Sequence, residues 1–154
     1  MDNVMRKLKV EELFLGMWVQ QWHEIPCRFS PPMQVTGIFG DGDMYLEIDK
    51  EQGDPFEGNL SDTFGLPIEP KMLELFGFKS EGKGVYILTV RDDVKVIVKV
   101  RDRYGKMECW RVSFGGGKVQ GWNEDIRYFH ELQRWFFDKV TLPWGIGLEL
   151  NIEY

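Results

Sequence analysis

Apolar side chains recur along this chain with two different periods, and the change between them outlines the fold. From Asn123 to Asp138, NEDIRYFHELQRWFFD, the residues Ile126, Phe129, Leu132 and Phe136 are spaced by three and four and share one stripe of a helix. Tyr128 and Trp135 flank the stripe on one side, His130 and Phe137 on the other, while Arg127, Glu131, Arg134 and Asp138 take the opposite face. Asn123 is the expected cap, Glu124 and Asp125 place negative charge on the first turn, and Pro143 with Gly145 ends the segment. Burying the four central side chains is worth about 1.5–3 kcal/mol each before entropy is subtracted.

Upstream the period drops to two. Val94, Val96, Val98 and Val100 alternate with Lys95, Ile97, Lys99 and Arg101, which predicts a strand over 94–101 in a sheet with one packed and one wet face. Val85 to Val90 is its antiparallel neighbour across 91–93, and Lys106 to Phe114 follows with Trp110, Val112 and Phe114 on a common face. Gly115-Gly116-Gly117 turns the chain into a short strand over Lys118 to Trp122. Nearer the N-terminus, strands are expected over Met17 to Trp22, Gln34 to Phe39 and Met44 to Ile48, the last two joined by a tight turn at Gly40 to Asp43. Asp49 to Thr63 reads as an exposed loop with a brief strand near Asn59. Pro67 to Phe78 reads as a short helix, with Pro70 at its first position and Gly77 just past its end. Ile146 to Ile152 is a closing strand or an extended tail.

These elements predict an α+β fold: one compact domain over 1–154 with antiparallel sheets, a small N-terminal β-unit and two helices, the longer one C-terminal. A subdivision into a β-unit over 10–60 and a helix, strands and helix over 64–154 is the alternative. An apolar content of 43%, with 14% aromatic residues, is enough for a real core. The formal charge of −6 disfavours general attraction to phosphate backbones and anionic lipid. No apolar run is long enough to cross a membrane and the first residues lack a signal-peptide stretch, so the expectation is a cytoplasmic protein without a membrane partner. Two cysteines, Cys27 and Cys109, fit ordinary thiols in a reducing compartment.

Candidate chemistry is sparse. Phe114-Gly115-Gly116-Gly117-Lys118 lacks the spacing of a phosphate loop and is better read as a hairpin turn. His23, Cys27, Cys109 and His130 do not have zinc-ligand spacing, and His130-Glu131 are neighbours that point apart on a helix. Asp41, Asp43, Glu47, Asp49, Glu51 and Asp54 do not match a calcium loop and read as solvated turn charges. No catalytic set, cofactor or metal is therefore expected. Six tryptophans stand out, and exposed members such as Trp22, Trp135 and Trp144 are the candidate partner-binding residues. Lys95, Lys99, Arg101 and Arg103 form a candidate nucleic-acid strip on the wet sheet face.

Tyr128-x-His130-Glu131-Leu132-Gln133, followed by Trp135, Phe136, Phe137 and a terminal Leu148-Glu149-Leu150, resembles the C-terminal signature of a family of uncharacterised proteins from gut Bacteroidetes genomes and their prophages. Leu15-Gly16-Met17-Trp18-Val19 is similar to that family's N-terminal entry, with Met17 where Asn is usual. Pro67-Ile68-Glu69-Pro70, Met72-Leu73 and Phe76-Gly77-Phe78 are similar to its middle segment. The resemblance spans about Leu13 to Leu150 and departs from the pattern in the loop after Asp49 and at Thr141-Leu142-Pro143-Trp144-Gly145-Ile146-Gly147. It implies a phage or mobile-element accessory protein and brings no catalytic residues. The expectation is a non-catalytic module that binds another protein. A nucleic-acid-binding accessory protein and an enzyme with an unrecognised site are the alternatives, and the oligomeric state is left open.

Overall fold

The computed structural model describes residues 7–24, 27–40, 42–47, 56–91, 94–103, 106–115 and 121–148. The fold is α+β, with two antiparallel sheets and two helices, the longer one C-terminal. The chain divides into two compact units, Met1–Leu66 and Pro67–Tyr154.

In the first unit a single 3-10 turn, Val10–Glu12, precedes β1 (Trp18–His23), β2 (Arg28–Phe29), β3 (Met33–Phe39), β4 (Asp43–Glu47) and β5 (Phe56–Asn59). A second 3-10 turn, Leu60–Asp62, leads into β6 (Thr63–Gly65). The spatial order is β2-β1-β3-β4-β5, and β6 pairs with β1. Because one turn separates β5 from β6, pairing β6 with β1 rolls the ribbon toward itself. A Cβ on Gly58 of β5 would stand 2.7 Å from Gln21 Nε2 of β1 and 2.6 Å from Leu46 Cδ1, so a larger residue there must displace those side-chain ends. The enclosed core is aliphatic and methionine-rich: Leu8, Met17, Val19, Met33, Val35, Met44 and Leu46. Strand alternation sets its membership, since β4 turns Met44 and Leu46 inward and leaves Asp43, Tyr45 and Glu47 more open. Polar groups inside are bonded: Gln20 Nε2 donates to the Gly65 carbonyl at 3.2 Å, Gln21 Nε2 donates to Thr63 Oγ1, and Thr63 Oγ1 donates to the Asn59 carbonyl at 2.8 Å.

The second unit begins with α1 (Pro70–Leu75), which starts on Pro70 and is followed by Gly77 at φ +92°. A meander of β7 (Lys79–Gly82), β8 (Val85–Arg91), β9 (Val94–Arg103), β10 (Lys106–Gly115) and β11 (Gly121–Ile126) follows in sequential order. Val94, Val96 and Val98 are buried on β9 and Trp110, Val112 and Phe114 on β10, as the alternation predicts. On the other face Lys95 and Lys99 are exposed. Next comes α2 (Phe129–Phe136), continued by a π-helical turn, Phe137–Thr141, and a last turn, Leu142–Trp144, that ends on left-handed Gly145. This helix packs aromatic on aromatic, with Trp135 5.1 Å from Phe114 and Phe129 4.7 Å from Phe76, the residue just past α1, between ring centroids.

Several boundaries differ from the sequence expectation. The helix expected from Asn123 starts at Phe129, because Gly121–Ile126 pairs with β10 as a strand and Ile126 is buried from there. Glu131 caps it: its Oε1 accepts from the backbone N–H of Tyr128 at 3.0 Å and of Arg127 at 3.1 Å. Glu124 and Asp125 therefore lie in a strand, where Asp125 pairs with Arg111 at 3.0 Å. Of the loop expected over 49–63, Phe56–Asn59 is a strand and Leu60–Asp62 a 3-10 turn, while 49–55 lies outside the described residues. Residues 146–148 have no regular structure, and the rest of the expected closing segment also lies outside. The short strands β2, β6 and β7 had no clear signature: β2 and β7 are two and four residues long and pair with their neighbours in sequence, while β6 is defined by its distant partner β1.

Candidate functional site

The first unit carries a groove of about 380 Å³ lined by Gln21, Trp22, His23, Phe39, Asp43, Glu57, Gly58, Asn59 and Asp62. Cross-strand register assembles it. Phe39 stands opposite Asp43 across β3 and β4, and Asp43 opposite Asn59 across β4 and β5, so three side chains 20 residues apart in sequence form one row. The end of β1 contributes Gln21, Trp22 and His23, and the 3-10 turn after β5 contributes Asp62.

Each wall is held from behind. The Trp22 ring meets Phe29 edge-on at 4.9 Å, and Phe29 in turn meets Phe64 at 5.2 Å. Phe39 rests on Tyr45 at 4.9 Å, and Tyr45 lies over Gly37, where a Cβ would come within 2.9 Å of its ring. Both rings of that pair are exposed, at 41% and 38%. Asn59 Nδ2 donates to Asp43 Oδ1 at 2.9 Å and fixes that carboxylate, while Asn59 Oδ1 accepts from Ser61 N at 2.9 Å and Ser61 Oγ at 2.6 Å. Gln21, 3% exposed, is tied to Thr63 and forms the inner wall beside Gly58. The arrangement is an open trough with two aromatic walls, Trp22 and Phe39, and three carboxylates, Asp43, Glu57 and Asp62. Among the described residues no lysine or arginine forms an ion pair with those carboxylates. Nor does any group of three His, Cys, Asp or Glu side chains among the described residues come together closely enough to hold a metal ion.

The residues singled out from the sequence separate. Trp22 lines the groove. Trp135 does not present an exposed ring: it is 2% exposed, because α2 turns it onto Phe114 of the sheet. The side chain of Trp144 lies outside the described residues. Lys95 and Lys99 share the wet face of β9, with Arg111 opposite Lys99 and engaged by Asp125, whereas the side chains of Arg101 and Arg103 lie outside the description. His23 and Cys27 belong to the first unit, Cys109 and His130 to the second. Cys27 is exposed and Cys109 buried, both as thiols. His130 is 3% exposed and stacks on Tyr128 at 5.9 Å. Residues 116–120 of the glycine-lysine segment lie outside the description; the strands they join, β10 and β11, are antiparallel neighbours.

Asp43 read as a solvated turn charge in the sequence, and Glu57 and Asp62 fell in an expected loop. The available signal was modest: carboxylates recurring beside Gly58 and Asn59 shortly after a strand pair. No family model, no curated protein and no solved structure matches the chain. Among the described residues no helix is long and apolar enough to cross a membrane.

Proposed function

We propose that this chain is a non-catalytic protein-interaction module that receives its partner in the groove of the first unit, in the accessory role for a phage or mobile element that the family resemblance implies. The observation that carries the reading is the placement of Trp22. A half-buried ring lines an open trough whose lining also includes Phe39, the type of aromatic anchor on which interfaces concentrate their binding energy. Against an enzyme stands the openness of the site, since Phe39, Glu57, Asn59 and Asp62 in its lining are all exposed and acid–base chemistry gains from excluding water. Capture from a lysate of the native host tests the reading. The full chain should retain a discrete protein that Trp22→Ala loses, and equal recovery by the two baits would refute it.

A second reading, nucleic-acid binding, draws on Lys95 and Lys99, exposed on one sheet face, with exposed Lys79 two strands away on edge strand β7. Absence of DNA and RNA binding at low salt would remove it.

A further inference from the structure

Resting on the interaction reading above, we infer that the groove takes a basic side chain, arginine or lysine, presented by a segment of the partner protein. Charge and shape together lead there. Asp43, Glu57 and Asp62 bring three negative charges to one concave surface, and among the described residues no basic side chain neutralises them by an ion pair. A cation entering the trough would relieve that accumulation and gain charge-assisted hydrogen bonds. Among the described residues these carboxylates are not gathered as a metal site. The aromatic walls fit the same guest. Trp22 and Phe39 offer ring faces and edges to an alkyl stem and its terminal cation, with the attraction of a cation for an aromatic face added to apolar contact.

Gly58 and the tethered Gln21 close the trough from below, and the Gln21, Thr63 and Asn59 hydrogen bonds hold that floor in place. Asn59 also orients Asp43 before any ligand arrives, which reduces the ordering cost of binding. Phe39 and Tyr45, in ring contact, continue the exposed apolar surface beyond the groove, where the residues flanking the basic one would rest.

The test uses the isotopically labelled full chain and three acetylated, amidated glycine-serine peptides carrying two central arginines, two citrullines or two glutamates. The arginine peptide should shift the indole signal of Trp22 and the backbone amides of Gly58 and Asn59. Its affinity should fall at least about fivefold from about 20 mM to about 150 mM salt, and by a similar factor in Glu57→Gln combined with Asp62→Asn. The citrulline peptide keeps the shape and loses the charge, so it should bind more weakly by about tenfold or more. Equal binding of the citrulline peptide at these signals would overturn the cationic assignment while leaving a peptide groove intact. Saturation by spermidine at lower concentration than the arginine peptide would overturn the assignment to a protein segment. Failure of all three peptides to move these signals would overturn the inference, and the Trp22→Ala capture experiment then decides separately whether the groove binds a partner in another way.

Discussion

The two units solve the same packing problem with different materials. The second has helices to lay over its sheet, so it hides its largest side chains: Trp110, Phe114, Phe129, Trp135 and Phe136 are all buried there. The first has no α-helix among its described residues and closes a rolled ribbon over methionines and small aliphatic side chains, with Gln20, Gln21 and Thr63 inside. A core of that size has no room for rings. Trp18 and Trp22 stay half-buried, and Phe39 and Tyr45 remain exposed. Aromatic residues are thus largely core in the second unit and left nearer the surface in the first, and a tryptophan's burial depends on whether a helix is available to cover it.

The contrast can be broken most forcefully in the helix-covered unit. Phe129→Ala removes a ring with no exposed surface from the contact between α1, α2 and the core, and should cost about 3–5 kcal/mol in urea or thermal unfolding. A loss below about 1 kcal/mol would show that α2 is not the principal cover. In the first unit the sensitive positions are polar or small. Gly58→Ala forces a Cβ against Leu46 and Gln21 and should cost about 1–3 kcal/mol, with loss of the groove signals in NMR spectra. Thr63→Val takes the acceptor from buried Gln21 and should cost a similar amount, about 1–3 kcal/mol, by the same melts. Smallest is the cross-strand pair on the second sheet. Arg111→Gln should change stability by less than about 1 kcal/mol, and the difference should shrink as salt is added, since both partners are more than a third exposed.

Where each unit was legible from sequence follows from the same physics. The strands β8, β9 and β10 carry alternation over many residues, and that local signal located them within a few positions. The start of α2 was misplaced because NEDIRYF satisfies both periods: Ile126 and Tyr128 are buried two apart, and Ile126 and Phe129 are also buried three apart. Pairing with β10 resolves the ambiguity in favour of a strand, and the sequence carries no direct mark of that partner. Trp22 was legible as a candidate because its residue type is informative by itself. The groove around it was not, since Phe39, Asp43 and Asn59 meet only through the register of three strands and Asp62 only through the turn that follows. Trp135 failed as an exposed candidate for the opposite reason: its neighbour Phe114 lies 21 positions away, on a strand facing the helix.

Gly58 has an implication for how such a module can diversify. A side chain there must displace the ends of Leu46 and Gln21, so change at this position disturbs the interior, whereas Glu57 and Asn59 on either side of it and Asp62 beyond are exposed. Substitutions at Glu57 and Asp62 rewrite the charge of the rim without touching the interior. The charge of the groove can therefore be changed by surface substitutions alone, and a designer could invert it with Glu57→Lys and Asp62→Lys while keeping the same scaffold.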